Sequence, residues 1–318
     1  MPVTEKHRMD LADADSLQAF YLAQTSTETQ FIQLSAGAAL LEGESLDLGR
    51  IRLLRVAAEG HHFWEDHMAP GEWRFAILSE AKGSAKLGGI DLSPTLGCLL
   101  RPGDQSDLLL NGSYNTLEIT FDAALAEDLG WKCSPGQLAI LDEAPIRALR
   151  ETADAALAVF EDGSGGEKDH RSAGHADLWS SLILDLMEQT LRPWLQIDGN
   201  DKVLSSGASA DLLRRTRSAF HDLDYAKSAQ IDQLSRDLGV SRRTLFHAFK
   251  KELGLGPRRF NELLRLNLLR ARLYRHGRGD ATVTECANDL GFSELGRMAV
   301  AYRAVFGESP RETLNRRS

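Results

Sequence analysis

The sequence predicts an α+β chain of two domains. A β-rich N-terminal domain with accessory helices precedes an all-α C-terminal domain of two helix-turn-helix modules joined by a long helix. Three observations carry this. Short alternating segments punctuated by glycine and proline run from about residue 38 to residue 121. A short string recurs in the last third, first as Asp237-Leu238-Gly239-Val240-Ser241 and again as Asp289-Leu290-Gly291-Phe292-Ser293. Charge is divided unevenly: residues 205–318 hold 21 basic and 13 acidic side chains, a net +8, whereas residues 1–204 hold 16 and 33, a net −17, within an overall −9. A chain of 318 residues, 42% hydrophobic and 26% charged, has the length for two cores and the composition of a globular protein.

In chain order, the opening MPVTEKHRMDLADAD carries acids where a secretory leader needs an apolar stretch, and no run of 18 apolar residues follows. A cytoplasmic protein with no membrane partner is expected. Between residues 38 and 121, breaks are read at Gly43, Gly49, Gly60, Pro70-Gly71, Gly88-Gly89, Pro94, Pro102-Gly103 and Gly112. Trp73, Phe75 and Ile77 alternate with polar or small residues, as do Leu117, Ile119 and Phe121, so these strands bury one face. A small barrel or sandwich fits. Ile146 to Phe160 and His175 to Leu191 have helical period and are separated by the glycine-rich DGSGGEKDHRSAG. The second stretch either covers the sheet or forms a dimer interface. Breakers between Pro193 and Ser209 place the boundary there, giving an N-terminal domain of residues 1–200 and a C-terminal domain of residues 210–318.

The N-terminal domain offers two candidate sites. His61, His62 and His67 with Glu65 in GHHFWEDH have metal-binding chemistry, but the His-x-His spacing of a cupin metal site is missing, so neither metal nor cofactor is expected. Trp64, Trp73 and Phe75 are candidates to line a small-molecule pocket, against the alternative of core packing. No nucleophile-base pair or phosphate-cradling loop stands out, so the chain is not read as an enzyme. Cys98, Cys133 and Cys286 are scattered and read as buried apolar residues.

Each copy of the repeated string sits between helical stretches, so helix-turn-helix modules are predicted at residues 231–253 and 283–306. Glycine supplies the positive φ that stops the first helix, an apolar residue plugs the corner, and Ser241 or Ser293 caps the second helix. Thr282 with Glu285, and Ser309 with Glu312 behind Pro310, form capping boxes. Pro257 to His276 is an uninterrupted helical stretch about 30 Å long. One turn of B-DNA is about 34 Å, so two recognition helices fixed at that separation enter successive major grooves of double-stranded DNA.

The string SRRTLFHAFKKELGLGPRRFNELLRLNLLRARL and the later VTECANDLGFSELGRMAVAYRAVFGESPRETL closely resemble the DNA-binding domain of the AraC/XylS transcription regulators. The resemblance covers roughly the last third of the chain. It implies seven helices in two modules, attached to a cupin-like β-barrel that binds a small-molecule effector, and a regulator of promoter DNA, with RNA polymerase and a second copy of the chain as further partners. The wording LGRMAVAYRAVFGESPRETL looks most like the subgroup containing the ethanolamine-utilisation regulator. It departs from the family at Met298, usually aromatic, and at Val300, usually polar.

Position within the recognition helices then selects residues. Arg242, Arg243, Thr244 and His247 occupy the first turns of the first helix and face base edges, with the capping Ser241 counted among the DNA-binding residues; Lys250 and Lys251 face phosphates. In the second module Ser293, Glu294, Leu295 and Arg297 are early and exposed, with Arg303 further along. Leu245, Phe246, Phe249, Ala301, Tyr302 and Phe306 are assigned to packing. Two other functions compete with an activator-type regulator: a cupin-type metalloenzyme with a DNA-binding tail, distinguished by a stoichiometric metal, and a non-specific architectural DNA binder, distinguished by indifference to sequence.

Overall fold

The computed structural model describes residues 4–10, 28–36, 40–131, 138–161, 170–195, 203–204, 207–222 and 231–315. A ten-stranded antiparallel sheet comes first: β1 (Thr4–Asp10), β2 (Glu28–Gln33), β3 (Leu40–Asp47), β4 (Ile51–His67), β5 (Glu72–Leu87), β6 (Ile90–Asp91), β7 (Leu96–Leu100), β8 (Gln105–Asp122), β9 (Leu138–Ile140) and β10 (Val203–Leu204). The order is β1-β3-β4-β8-β5-β7-β9-β10, with β2 added to β4 and β6 to β5. Among the described residues this path is open, so the expected barrel appears as an unclosed sheet. It also begins earlier and ends later than residues 38–121.

Strands β4, β5 and β8 are 16 to 18 residues long. Glycines expected to break strands lie inside them: Gly43 in β3, Gly60 in β4 and Gly112 in β8. The reason is geometric. Gly60 pairs with Gly112, which pairs with Gly83, so three glycines form a row across β4, β8 and β5. All three have positive φ, of 129°, 132° and 110°. A Cβ on Gly112 would overlap the Lys82 carbonyl, and one on Gly83 the Asn111 carbonyl. The row is a crease. Ser106 and Glu118 stand on either side of Gly112, and if β8 were straight they would lie about 40 Å apart; they nevertheless line one cavity. A bulge between Leu78 and Glu80 resets the side-chain alternation of β5 past the crease.

Alternation along the strands defines two faces. On the inner face Leu54, Val56, Ala58, Trp64, Leu78, Ala85, Leu110 and Tyr114 pack together. On the outer face of one half, Leu53, Phe75, Ile77, Leu117, Ile119 and Phe121 meet three helices: α1 (Ala123–Asp128), α2 (Glu143–Glu161) and α3 (His170–Leu195). Ile146, Leu149, Ala153, Ala156 and Leu157 form the buried stripe of α2, and Ile183, Leu184, Met187, Leu191 and Trp194 that of α3. Sheet cover is thus one role of the His175–Leu191 stretch; Leu178 and Leu182 on its other side are 69% and 47% exposed.

The second domain is helical: α4 (Ala208–Asp222), α5 (Ile231–Asp237), α6 (Arg242–Leu253), α7 (Pro257–Asp280), α8 (Val283–Asp289), α9 (Leu295–Phe306) and α10 (Pro310–Asn315). Phe260, Leu263, Leu264, Leu266, Leu269 and Leu273 of α7 are buried and unite both modules in one core. Ile32, Leu34 and Phe63 from the outer face of the other half of the sheet join this core. Cys98 and Cys286 are free and buried, while Cys133 lies outside the described residues. Among the described residues no helix is long and apolar enough to cross a membrane.

Candidate nucleic-acid interface

Both helix-turn-helix turns follow from their residues. Gly239 and Gly291 adopt φ of 67° and 74°, ending α5 and α8. Phe292 plugs the second corner at 9% exposure and Val240 sits half-buried in the first. Ser241 caps α6, its Oγ accepting from the Thr244 N–H at 3.0 Å. The second module differs: α9 starts at Leu295, and its N-cap is Glu294, without a side-chain capping bond. Ser293 therefore does not cap. The extra residue arises because the turn after Phe292 continues to Glu294 before helical dihedrals begin.

Capping boxes anchor the other ends. Thr282 and Glu285 exchange bonds at the start of α8. Ser309 N–H donates to Glu312 at 2.6 Å, and Glu312 N–H to Ser309 Oγ at 3.2 Å. These bonds from Ser309, helped by Arg303, hold the Glu312 carboxyl down to about 2.

The structure brings the first-module candidates together on one exposed surface: Ser241, Arg242, Arg243, Thr244, His247, Lys250 and Lys251 all face solvent. Arg242 pairs with Asp232, Lys250 donates to the Gly254 carbonyl at 3.1 Å, and Lys251 approaches Glu252 at 3.6 Å. Arg243 and His247 have no ion-pair partner among the described residues. Leu245 and Phe249 are buried as expected, but Phe246 is 51% exposed, against its assignment to packing. It sits one position before His247 on the solvent side of α6, its ring so near Gly256 that a Cβ there would meet it at 3.0 Å.

In the second module Ser293, Glu294 and Arg297 are exposed, and Leu295 is half-buried. Arg297 pairs with Glu294 at 2.9 Å and Arg303 with Glu312 at 2.8 Å. Val300 is 73% exposed, whereas Met298 and Tyr302 are buried. Helix α7, 24 residues long, spans about 36 Å. Two arginines fix the second module to it. Arg265 donates to the Gly291 carbonyl at 3.1 Å and lies 4.6 Å from the Phe292 ring; Arg270 pairs with Glu308 at 3.0 Å and lies 4.5 Å from Phe306. Sequence reasoning missed both, although a cation inside a leucine stripe is the signal that marks them.

The domains are joined by polar bonds as well as by their shared core. Arg217 of α4, 1% exposed, bonds Asp107 of β8 at 2.5 Å, pairs with Glu65 of β4, and stacks 4.4 Å from Phe63. Burial pushes the Asp107 carboxyl up against the opposing pull of Arg217. Asn267 of α7 accepts from the Gln33 N–H at 2.9 Å and donates to the Gln33 carbonyl at 3.1 Å, bonding the β2 backbone as a further strand would.

The N-terminal candidates are dispersed. Trp64 lies in the inner core, edge-on to Phe31 and Tyr114. Phe75 faces Trp194 and Trp73 stacks on Phe121, both on the outer face. The three do not line one pocket, because Trp64 and Phe75 occupy opposite faces. Alternation likewise separates His62 from His61, Glu65 and His67, and among the described residues no group of three or more metal-ligating side chains gathers. His67 lies 3.3 Å from Glu65. His62 is fully buried, and both its ring nitrogens lack a hydrogen-bond partner among the described residues. Burial, with the nearby His61, pulls it down to about 3.

A sheet domain carrying a helical domain with two helix-turn-helix modules is the class that these elements define. Residues 234–316 match the family described as a helix-turn-helix domain. Among curated proteins, "XylDLEGF operon transcriptional activator 3" of Pseudomonas putida is 37% identical over 98 residues, covering 31% of this chain and 30% of the relative. The transcriptional activator RhaS of Escherichia coli is 31% identical over 149 residues, covering 46% and 48%. The chain spans 30% to 61% of the length of the first curated relatives it matches. Among solved structures, a probable AraC family transcriptional regulator from Rhodopseudomonas palustris aligns at 34% identity over 33% of this chain and 94% of its own, with a TM-score of 0.30. The AraC-like transcriptional activator CuxR aligns at 14% identity over 90% and 100%, with a TM-score of 0.43.

Proposed function

We propose that this protein is a sequence-specific, DNA-binding transcription regulator of the AraC/XylS type. Residues 210–318 serve as its DNA-binding domain and residues 1–200 as a cupin-like module that binds a small-molecule effector. The observation that carries the reading is the pair of exposed recognition-helix starts packed on one continuous 24-residue helix, the second module being bonded to it through Arg265 and Arg270. The length of that helix, about 36 Å, is close to one turn of duplex DNA. In this reading Arg243, Thr244 and His247 reach base edges and Lys250 and Lys251 reach phosphates. Arg297 reaches a base edge after exchanging Glu294 for DNA. Activation, a homodimer, RNA polymerase as partner and the finer resemblance of residues 295–314 to the ethanolamine-utilisation regulator's subgroup belong to the same proposal.

Footprinting upstream of its own and neighbouring genes tests it, with and without candidate metabolites. The expected result is one protected site of about 20 base pairs. Arg243→Ala should weaken that site by about 1 to 3 kcal/mol while barely changing affinity for random duplex. Equal losses on both would reassign Arg243 to phosphate, and no preference for any site would refute the regulator.

A further inference from the structure

Among the described residues of the helical domain, two large apolar side chains stand in solvent, Phe246 at 51% exposure and Val300 at 73%, and each lies on a recognition helix. Successive residues of a helix turn by about 100°. On α6 this puts Phe246 in one arc with the exposed Arg243, His247 and Lys250, while Leu245, Ala248 and Phe249 fill the opposite, buried side. On α9 it puts Val300 between Arg297 and Arg303, opposite the buried Met298, Tyr302 and Val305. Val300 holds the place in α9 that His247 holds in α6, each being the sixth residue of its helix. The Phe246 ring is backed by the turn before α7, where a Cβ on the N-cap residue Gly256 would meet it at 3.0 Å.

We propose that Phe246 and Val300 each seat the C5-methyl group of a thymine in the major groove, so that each module requires an A·T pair at one position of the operator. This rests on the reading of residues 210–318 as a DNA-binding domain and adds two sequence-reading residues to it. A helix laid in the groove with its cationic face inward brings these side chains against base edges. Neither can donate or accept a hydrogen bond, so against the polar edges of guanine, cytosine or adenine each would strip water from a polar group and return nothing. The thymine methyl is the apolar group that unmodified DNA presents there. The flanking cations, Arg243 and Lys250 in one module and Arg297 and Arg303 in the other, favour a polyanion over an apolar protein surface as what covers them. Modules set one turn of duplex apart put the two thymines about 10 base pairs apart.

The test uses the full chain. A binding site is enriched from random-sequence duplex, and each of its thymines is replaced in turn by deoxyuridine, which removes the methyl group and keeps the base pair. Affinity is read by fluorescence anisotropy at fixed salt. Uracil should weaken binding about three- to fivefold, the worth of one buried methyl group, at one thymine in each half of the site, the two lying about 10 base pairs apart. Phe246→Ala should erase the penalty at one of them and keep it at the other, and Val300→Ala the reverse. Both side chains are exposed, so truncation leaves the fold intact.

Uracil tolerated at every position would overturn the proposal. A penalty that persists in the variant meant to erase it would overturn that residue's assignment and give the methyl to another side chain. Affinity lost equally on thymine and uracil duplexes would reassign the side chain to the sugar-phosphate backbone. An enriched site without methyl dependence removes only this inference and leaves the regulator reading standing, whereas failure to enrich any sequence removes the regulator reading and the proposal with it.

Discussion

Replacing Arg217 by methionine isolates what fastens the two domains. The guanidinium is 1% exposed and meets Glu65 and Asp107, whose side chains are 4% and 10% exposed. Methionine keeps the aliphatic stem but removes the guanidinium that stacks on Phe63 and pairs with both buried carboxylates. Removing one partner of such a buried pair costs about 3 to 5 kcal/mol, a shift of roughly a hundred- to several-thousand-fold toward an opened junction. Hydrogen exchange at the Gln33 amide reads this directly, because that N–H is held by Asn267 across the junction. Its exchange should accelerate by at least about a hundredfold, while amides in the middle of β8 stay protected. The triple variant Arg217→Met, Glu65→Gln, Asp107→Asn should recover most of the protection, since no uncompensated charge remains. Unchanged protection of Gln33 in Arg217→Met would show that the apolar contacts alone hold the domains, and failure of the triple variant to recover would remove the electrostatic explanation.

Three further outcomes follow. His62 titrates near 6.5 when unfolded and about 3 when folded, so the unfolded chain binds more protons below pH 6.5. Stability contributed by the neutral ring is therefore lost as pH falls through that window, by about 2 kcal/mol at pH 5, and His62→Leu should flatten this part of a denaturation-versus-pH curve; an unchanged slope would assign it elsewhere. Inserting two residues after Leu269 rotates one module by about 200° relative to the other and should abolish tight operator binding in a mobility-shift assay, whereas retained affinity would mean that the modules act independently. Gly112→Ala places a methyl group on the Lys82 carbonyl at a φ of 132° and should cost more than about 3 kcal/mol in thermal or denaturant unfolding; a change below 1 kcal/mol would contradict the crease.

The helical domain was legible because its signals are local. Asp-Leu-Gly-x-Ser writes a helix stop, a corner and a helix start within five residues, and the Thr282–Glu285 and Ser309–Glu312 pairs close over a single turn. The start of α9 is not legible in the same way, because Ser293 stands where Ser241 stands in the first module, yet helical dihedrals begin only at Leu295. The sheet was legible in its alternation but not in its path. Glycine in a strand and glycine in a turn look alike in sequence, and only the cross-strand register of Gly60, Gly112 and Gly83 shows which is which. The junction was hidden for the same reason: Glu65 and Arg217 are 152 positions apart, and neither has a local signature. Trp64, Trp73 and Phe75 were grouped by residue type, while parity along β4 and β5 sends them to different sides.

The glycine row makes the two walls of the inner chamber opposite ends of the same three ribbons. A change in the angle between those ends alters the width of the chamber, and with it the platform on which the helical half rests. No separate relay is required: a single fold line serves both, in the way that opening a book moves its pages and its covers together.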